Sequence, residues 1–168
     1  MDFEDYGGVA LVTGGTGGIG STICRLLAER GSSVAFTFLQ NKEAARTLEE
    51  DLGAFGKPVF SQSVDLRDVA AISTFINSLQ QEGGVHTLIH TVGPTVPQTH
   101  LSKISPAAFQ DHVELEINGF FNTVHAAIPQ LRSHQGSIIA VTTAATDRYP
   151  IRDGLSASPK AGVEMLIR

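Results

Sequence analysis

A group of closely spaced glycines near the start of the chain is its clearest chemical feature. Between the apolar segment 9–12 and a helix-like stretch lie five glycines: Gly14, Gly15, Gly17, Gly18 and Gly20. A strand that turns sharply into a helix aims backbone N–H groups and the positive end of the helix dipole at whatever fills the turn. Glycine permits close approach of a phosphate and adopts positive φ. The spacing therefore predicts a turn that holds a pyrophosphate.

Two related patterns describe this turn. Residues 15–20 read Gly-x-Gly-x-x-Gly, and residues 13–20 read Thr-Gly-x-x-x-Gly-x-Gly. The absence of a following Gly-Lys-Ser/Thr excludes a P-loop nucleotide triphosphatase on that signature. An amphipathic stretch follows the turn and stops at Gly31, so the pattern favours a dinucleotide site over a merely flexible turn.

The elements that must hold this turn alternate between short β-rich runs and longer segments with helical periodicity. We predict strands at 9–13, 33–38, 58–64, 87–92 and 137–143. We predict helices near 19–30, 42–52, 68–82 and 106–132, and a fifth that begins near Pro159. The helix at 106–132 carries an apolar stripe formed by Phe109, Val113, Ile117, Phe121, Val124 and Ile128.

Strict alternation of strands and helices means right-handed βαβ units. We therefore predict one domain over 1–168, a doubly wound parallel α/β sheet (Rossmann fold) in three layers. In such sheets ligands bind beyond the carboxyl ends of the strands, beside the first strand.

Composition and charge exclude several classes of function. The net charge is -5 with no basic cluster, so neither nucleic acid nor an anionic membrane surface is an expected partner. The acidic start lacks the features of a signal peptide, and no apolar run is long enough to cross a bilayer. The single cysteine, Cys24, excludes an internal disulfide and suits a reducing compartment, so a cytoplasmic location is expected.

The histidines do not predict a metal site. His86 and His90 lie four residues apart on a predicted strand, and no carboxylate or cysteine completes a set of ligands at a recognised spacing. We expect no bound metal.

With these motifs in place, the chain resembles the short-chain dehydrogenase/reductase family over nearly its whole length. Residues 13–20 fit the family's cofactor loop, and Asp65 matches the aspartate that in the family accepts a hydrogen bond from the adenine amino group. Residues 90–93 stand where the family has Asn-Asn-Ala-Gly and keep only the glycine. The cofactor-binding residues expected on these grounds are Gly14, Thr16, Gly17, Gly18, Ile19, Gly20, Gln40, Asn41, Lys42, Asp65, Leu66, His90, Thr91, Val92, Gly93 and Lys160.

The resemblance also implies a catalytic centre, with one departure. Asn118, Thr143 and Lys160 match the family's asparagine, serine and lysine, but Ser156 stands where the family has its catalytic tyrosine. A phenol has a pKa near about 10 that a neighbouring cation can lower, whereas an aliphatic hydroxyl lies far outside that range. Ser156 is therefore a poor general acid, although it can orient a substrate oxygen or a water.

The sequence leaves three alternatives open for the proton donor that would replace the missing phenol. Lys160 acts through a water held by Ser156 and Asn118, which the matching positions favour. Alternatively, Tyr149 swings its phenol inward from the loop 147–150. In the third case no acid remains, and the protein only binds a nucleotide, as a sensor or scaffold.

The resemblance implies further expectations about ligands and assembly. The segment after the second predicted strand has Gln40, Asn41 and Lys42 but no acid before Glu43, which favours NADP(H) over NAD(H). The substrate is a small carbonyl compound or alcohol, and family members continue beyond the position of Arg168. Family members pair through the fourth helix and the segment from Lys160 onward, so a homodimer or homotetramer is expected.

Overall fold

The computed structural model describes residues 2–148 and 150–168 as a sheet covered by helices on both faces. Its strands are β1 (Val9–Thr13), β2 (Ser33–Phe38), β3 (Val59–Ser63), β4 (Val85–His90) and β5 (Ser137–Ala140). Its helices are α1 (Gly18–Glu29), α2 (Lys42–Gly53), α3 (Val69–Ser78), α4 (Pro106–Val113), α5 (Gly119–Ser133) and α6 (Gly154–Ile167). A π-helical turn, Glu114–Asn118, joins α4 to α5, and short 3-10 segments lie at Leu79–Glu82, Leu101–Lys103 and Ala144–Thr146.

All strand pairs are parallel, in the order β3-β2-β1-β4-β5. The chain winds outward from β1 through β2 to β3, then returns to the other side of β1 for β4 and β5. This reversal creates the switch point between β1 and β4 where such sheets bind ligands. The predicted doubly wound α/β fold is confirmed.

Side chains of β1 alternate between two hydrophobic cores, one on each face of the sheet. Val9 and Leu11 join the core under α3 and α5, whereas Ala10 and Val12 join the core under α1 and α2. Because every residue of β1 is buried, the strand is a rigid base for the glycine turn at its end.

Several predicted boundaries differ from the structure. The strands predicted at 58–64, 87–92 and 137–143 are Val59–Ser63, Val85–His90 and Ser137–Ala140. The fifth predicted helix begins at Gly154 rather than near Pro159, so Pro159 lies inside it, and burial of Leu155, Pro159 and Val163 against the rest of the protein offsets the cost of an interior proline.

The single helix predicted at 106–132 is divided by the π-helical turn. Phe121 of the predicted apolar stripe is 53% exposed, while its neighbour Phe120 is 2% exposed. The buried side of α5 is formed instead by Gly119, Phe120, Thr123, Ala127, Gln130 and Leu131. Within the described part of the chain, no helix has both the length and the apolar character that a membrane span needs.

Candidate functional site

The turn between β1 and α1 depends on three glycines that a side chain would disturb. Gly14 has a φ of 74°, which side chains rarely adopt. A Cβ on Gly15 would lie 2.6 Å from the Cβ of Phe36, and one on Gly20 would collide with the Gly14 carbonyl oxygen. A Cβ on Gly18, in contrast, would meet nothing within 4 Å. Gly18 therefore leaves the outer side of the turn open.

The start of α1 differs from the starts of the next three helices. Asn41, Asp68 and Ser105 each accept a backbone N–H at the start of α2, α3 and α4. Among the described residues, no side chain caps α1, whose N-cap is Gly17 and whose first turn has no acid. Free N–H groups and the helix dipole favour an anion there, so this end of α1 fits a diphosphate group.

A cleft of about 350 Å³ opens beside this turn at the carboxyl ends of β1 to β4. Predicted residues that line it are Gly14, Thr16, Gly17, Asp65, Leu66, Thr91, Val92 and Gly93. The sequence did not point to the other wall residues, which are Thr37, Phe38, Leu39, Val64, Pro94 and Leu115. The predicted residues outside the walls are Gly18, Ile19, Gly20, Gln40, Asn41, Lys42, His90 and Lys160.

Asp65 lies in the cleft wall just beyond β3, and Arg67 holds its carboxylate. Arg67 Nη2 donates to Oδ2 at 2.7 Å, and the Arg67 backbone N–H donates to Oδ1 at 3.0 Å. These hydrogen bonds from Arg67 lower the pKa of Asp65. Asp68, not Asp65, caps α3. Asp65 is therefore an ionised carboxylate at the cleft, which could accept a hydrogen bond from an amino group.

His90 has a structural position rather than a place in the cleft wall. Its fully buried ring has Nδ1 2.9 Å from Thr13 Oγ1 and packs edge-on against Phe120, with 5.1 Å between ring centroids. Burial, with a smaller contribution from the charge of Lys160, lowers the pKa of His90 to about 3. His90 is therefore neutral near pH 7, and because its ring lies outside the cleft wall, its expected contact with a cofactor stays a prediction.

The residues after β2 also differ from the prediction. The Asn41 side chain is used in capping α2, where it accepts the N–H of Ala44 at 3.0 Å. A second, shallower groove next to the glycine turn is lined by Thr16, Ser21, Arg25, Asn41, Glu43, Ala44, Thr47 and Leu48. Arg25, which the sequence analysis did not select, places a guanidinium in that groove and pairs with Asp51 at 2.7 Å.

Lys160 and Glu116 form a nearly buried ion pair beside the cleft. Lys160 Nζ lies 2.8 Å from Glu116 Oε2, and the two side chains are 11% and 5% exposed. Lys160 Nζ also donates to the Val92 carbonyl oxygen at 2.9 Å. The contact with Glu116 is an ion pair without hydrogen-bond alignment, since Oε2 has no hydrogen-bond partner among the described residues.

Gly93 connects this pair to the cleft. A Cβ added to Gly93 would lie 3.5 Å from Glu116 Oε1 and 3.7 Å from Lys160 Nζ. Because Gly93 and Val92 line the cleft, both charged groups lie directly behind its wall.

Two irregular features bring Glu116 and Lys160 together. The π-helical turn Glu114–Asn118 widens the helix where Glu116 faces inward. Gly162, two residues after Lys160, has no Cβ, and an added one would lie only 2.7 Å from Ile117 Cδ1. The missing side chain of Gly162 lets α6 approach the turn closely.

Asn118 does not join this group, contrary to the prediction. It is exposed, and its Nδ2 donates to Glu114 Oε2 at 2.7 Å. The inward position on this turn belongs to Glu116, which lies four and seven residues before the buried Phe120 and Thr123. That spacing is the sequence signal that would have identified Glu116.

The remaining predicted catalytic residues lie on the segment from β5 to α6. Thr143 Oγ1 accepts the N–H of Ala145 at 3.2 Å and begins a 3-10 turn. Ser156 lies in the first turn of α6, four residues before Lys160. Tyr149 lies outside the described residues. Within the described part of the chain, no three His, Cys, Asp or Glu side chains gather as a metal site would require.

The comparisons with known proteins agree with this geometry. The family model described as short chain dehydrogenase matches residues 8–168. The chain is 31% identical over 136 residues to 3-oxoacyl-[acyl-carrier-protein] reductase FabG of Staphylococcus aureus. The aligned region covers 80% of this chain and 55% of the relative. It is 27% identical over 156 residues to acetoacetyl-CoA reductase of Paracoccus denitrificans, which covers 92% of this chain and 62% of the relative. The chain thus spans only about half to two thirds of these curated relatives.

Solved structures with the same fold include two with a bound dinucleotide. A short-chain oxidoreductase from Pseudomonas aeruginosa PAO1, described as containing an atypical catalytic center and solved with NADPH, has a TM-score of 0.87 at 26% identity. The match covers 95% of this chain and 63% of that one. Carveol dehydrogenase from Mycobacterium avium in complex with NAD has a TM-score of 0.90 at 22% identity, over 98% of this chain and 65% of that one.

Proposed function

Because the chain belongs to the short-chain dehydrogenase family, we propose that it forms the cofactor-binding part of an NADP(H)-dependent oxidoreductase for a ketone/alcohol pair. One observation carries the proposal: the uncapped start of α1 and the buried Lys160 lie at one cleft along the carboxyl ends of the strands. The start of α1 would hold the diphosphate, and Lys160 would lie toward the nicotinamide ribose. The whole protein's activity and substrates are part of this proposal.

The bound dihydronicotinamide supplies a hydride to the carbonyl carbon, and this chain must position the substrate and deliver a proton to its oxygen. We assign the proton to Lys160, acting through a water that Ser156 holds in place of a phenol. Thr143 would orient the substrate oxygen. Asn118, exposed and bonded to Glu114, has no part in this scheme.

The missing phenol makes Ser156→Tyr the most direct test of this assignment. A well-placed general acid is worth a factor of about 10²–10⁴. We expect the variant to reduce ketones at least about tenfold faster than the parent, because a phenol one turn before Lys160 would transfer the proton directly. Stopped-flow measurement of NADPH oxidation provides the readout. An unchanged rate in a folded variant that still binds NADPH would contradict the role given to Ser156.

Cofactor preference is proposed to be NADP(H). No acid precedes Glu43 after β2, and Arg25 and Asn41 share a groove with Thr16 of the glycine turn. A cation in that groove would favour a 2′-phosphate over a 2′-hydroxyl. We expect NADPH to raise the melting temperature more than NADH at matched concentration, because only the tighter ligand shifts unfolding strongly. A larger shift with NADH would overturn the preference.

A second candidate function is a nucleotide-binding protein without turnover, acting as a sensor or scaffold. Two features favour it: by resemblance, Ser156 stands where the family has its tyrosine, and Lys160 already contacts Val92 and Glu116. A panel of ketones, quinones and 3-oxoacyl thioesters distinguishes the two functions. Binding of NADPH without its oxidation by any panel member would support the second function.

The assembly proposed is a homodimer or homotetramer in the cytoplasm. Helices α4 to α6 leave large apolar side chains exposed, among them Phe109 at 39%, Phe121 at 53% and Met165 at 69%. A second copy of the chain would cover such a face. Sedimentation velocity at several protein concentrations tests this, and a monomer at all concentrations would contradict it.

A further inference from the structure

The ion pair between Glu116 and Lys160 differs from the other ion pairs of the described residues. Its side chains are 11% and 5% exposed, whereas the pair of Arg25 and Asp51 is 45% exposed on both sides. The remaining pairs have at least one side chain that is 45% exposed or more. A buried ion pair contributes little to stability, because removing two charges from water is costly. Stability alone therefore gives little reason for a charged pair at this position.

The location of the pair points to the cleft. Glu116 Oε1 and Lys160 Nζ lie 3.5 and 3.7 Å from the place of a Gly93 Cβ, and Gly93 lines the cleft. Leu115, the neighbour of Glu116 in the π-helical turn, lines the same cleft. The carboxylate and the ammonium are thus held against the cleft wall by the residues that form it.

Lys160 has a defined donor geometry in this arrangement. An ammonium group has three N–H donors. One N–H donates to the Val92 carbonyl oxygen at 2.9 Å, and the carboxylate of Glu116 stands 2.8 Å from the same nitrogen. These two partners fix the position of Nζ and leave donor capacity for a third group.

We propose that Glu116 is a positioning residue that acts through Lys160 and sets the affinity of the cleft for the nicotinamide half of the dinucleotide. The carboxylate compensates the lysine charge, so Lys160 contributes a directed donor instead of a general attraction for anions. The adenine half, at the glycine turn and Asp65, is held by other residues and does not depend on Glu116. This inference rests on the proposed function, since it requires that the cleft binds NADP(H).

The experiment compares two ligands in two matched variants. Glu116→Gln removes the charge and keeps the shape, and the control Glu114→Gln alters a partly exposed acid of the same π-helical turn whose partner is Asn118. Dissociation constants are measured by calorimetry for NADPH and for adenosine 2′,5′-bisphosphate, which lacks the nicotinamide ribose. For Glu116→Gln we expect NADPH to bind about tenfold more weakly and the bisphosphate to change by less than about twofold, because a displaced Lys160 would lose its charge-assisted hydrogen bond to the nicotinamide ribose, which the bisphosphate lacks. The control should change neither value.

A second background tests whether Glu116 acts through the lysine. In a Lys160→Met protein, adding Glu116→Gln should cause no further loss of NADPH affinity, because the group that it positions is gone. A further tenfold loss there would overturn the proposal.

Other outcomes also decide the matter. A folded Glu116→Gln protein with the parent's NADPH affinity overturns the inference, as does an equal loss of both ligands, which would make Glu116 purely structural. If Glu116→Gln does not fold, Glu116→Asp keeps the charge on a shorter arm, and the same selective loss of NADPH is expected. If the parent itself binds neither ligand, the proposed function fails, and this result differs from every outcome that tests Glu116 alone.

Discussion

The two ends of the cleft are built in different ways. At the glycine turn, the backbone forms the site: Gly14 has positive φ, Gly20 has no room for a Cβ, and the start of α1 has no side-chain cap. At the other end, the side chains of Glu116 and Lys160 meet across two helices behind Gly93. The first kind of site follows from local sequence, whereas the second depends on the rotational phase of each helix.

The largest expected effect distinguishes the buried Glu116 from the partly exposed Glu114. Glu116→Ala leaves the Lys160 ammonium buried without its counter-charge, which should lower the free energy of unfolding by about 3–5 kcal/mol. Glu114→Ala, at a partly exposed position of the same turn, should change it by less than about 0.5 kcal/mol. Urea unfolding monitored by circular dichroism measures both. Equal losses in the two variants would remove the contrast between the two ends of the cleft.

At the glycine end, the expected effect comes from steric overlap. Gly20→Ala forces a methyl group against the Gly14 carbonyl oxygen and to 2.8 Å from Thr91 Oγ1. Overlap of this kind costs about 1–3 kcal/mol, so the midpoint of urea unfolding should fall accordingly. A variant as stable as the parent would show that the turn can relax and that Gly20 does not shape it.

The stability of the protein should depend on pH through His90, the last residue of β4. Its pKa of about 3 lies below the ordinary value of 6.5, so the unfolded chain takes up the extra proton as the pH falls from 6.5 towards 3. Unfolding free energy should therefore decrease over that range, with His90 contributing at most about 1.4 kcal/mol per pH unit. Buried His86, whose pKa burial also lowers, contributes with the same sign.

His90→Asn should make the fall in stability shallower, because asparagine takes up no proton. The exposed His125→Asn should leave the slope unchanged. Melting temperatures between pH 4.5 and 7, measured at intervals of half a pH unit or so, check both variants. An unaltered slope in His90→Asn would mean that other groups carry the acid sensitivity.

The smallest effect on the fold is expected at Gly18, where an added Cβ meets open space. Gly18→Ala replaces a glycine in the first turn of α1 and should stabilise the apoprotein slightly, by less than about 1 kcal/mol. The same methyl group would obstruct a diphosphate, so NADPH affinity should fall while the melting temperature does not. Loss of stability instead would place Gly18 with Gly20 as a structural residue.

Local sequence was sufficient to predict the first two strands and the glycine turn. The bounds of β1 and β2 agree with the predicted 9–13 and 33–38, because each strand is a buried run followed by a turn residue. The glycine turn could be predicted because few other structures require so many closely spaced glycines between a strand and a helix. Arg25 was missed because its partner Asp51 and the groove beside it depend on how separate segments pack, whereas Arg67 pairs with Asp65 two residues away and was simply not selected.

Helical phase explains why the second half was harder to predict. The stripe through Phe109, Ile117 and Phe121 assumes one regular helix, but the π-helical turn shifts the phase, and Phe120 takes the buried place of Phe121. Asn118 was chosen from the family resemblance, and no helical periodicity in the sequence analysis pointed to Glu116, whose inward position appears only with the π-helical turn. The role of Ser156 stays a prediction.

The π-helical turn also makes the distant end of the cleft sensitive to chain length. A π turn holds one more residue than an α turn, so deleting a single codon within Glu114–Asn118 would restore regular winding. It would also change which side chain of the turn faces inward, because the extra residue that the π turn accommodates would be gone. The carboxylate of Glu116 would then lose its contact with Lys160, while the glycine turn at the other end of the cleft would keep its shape.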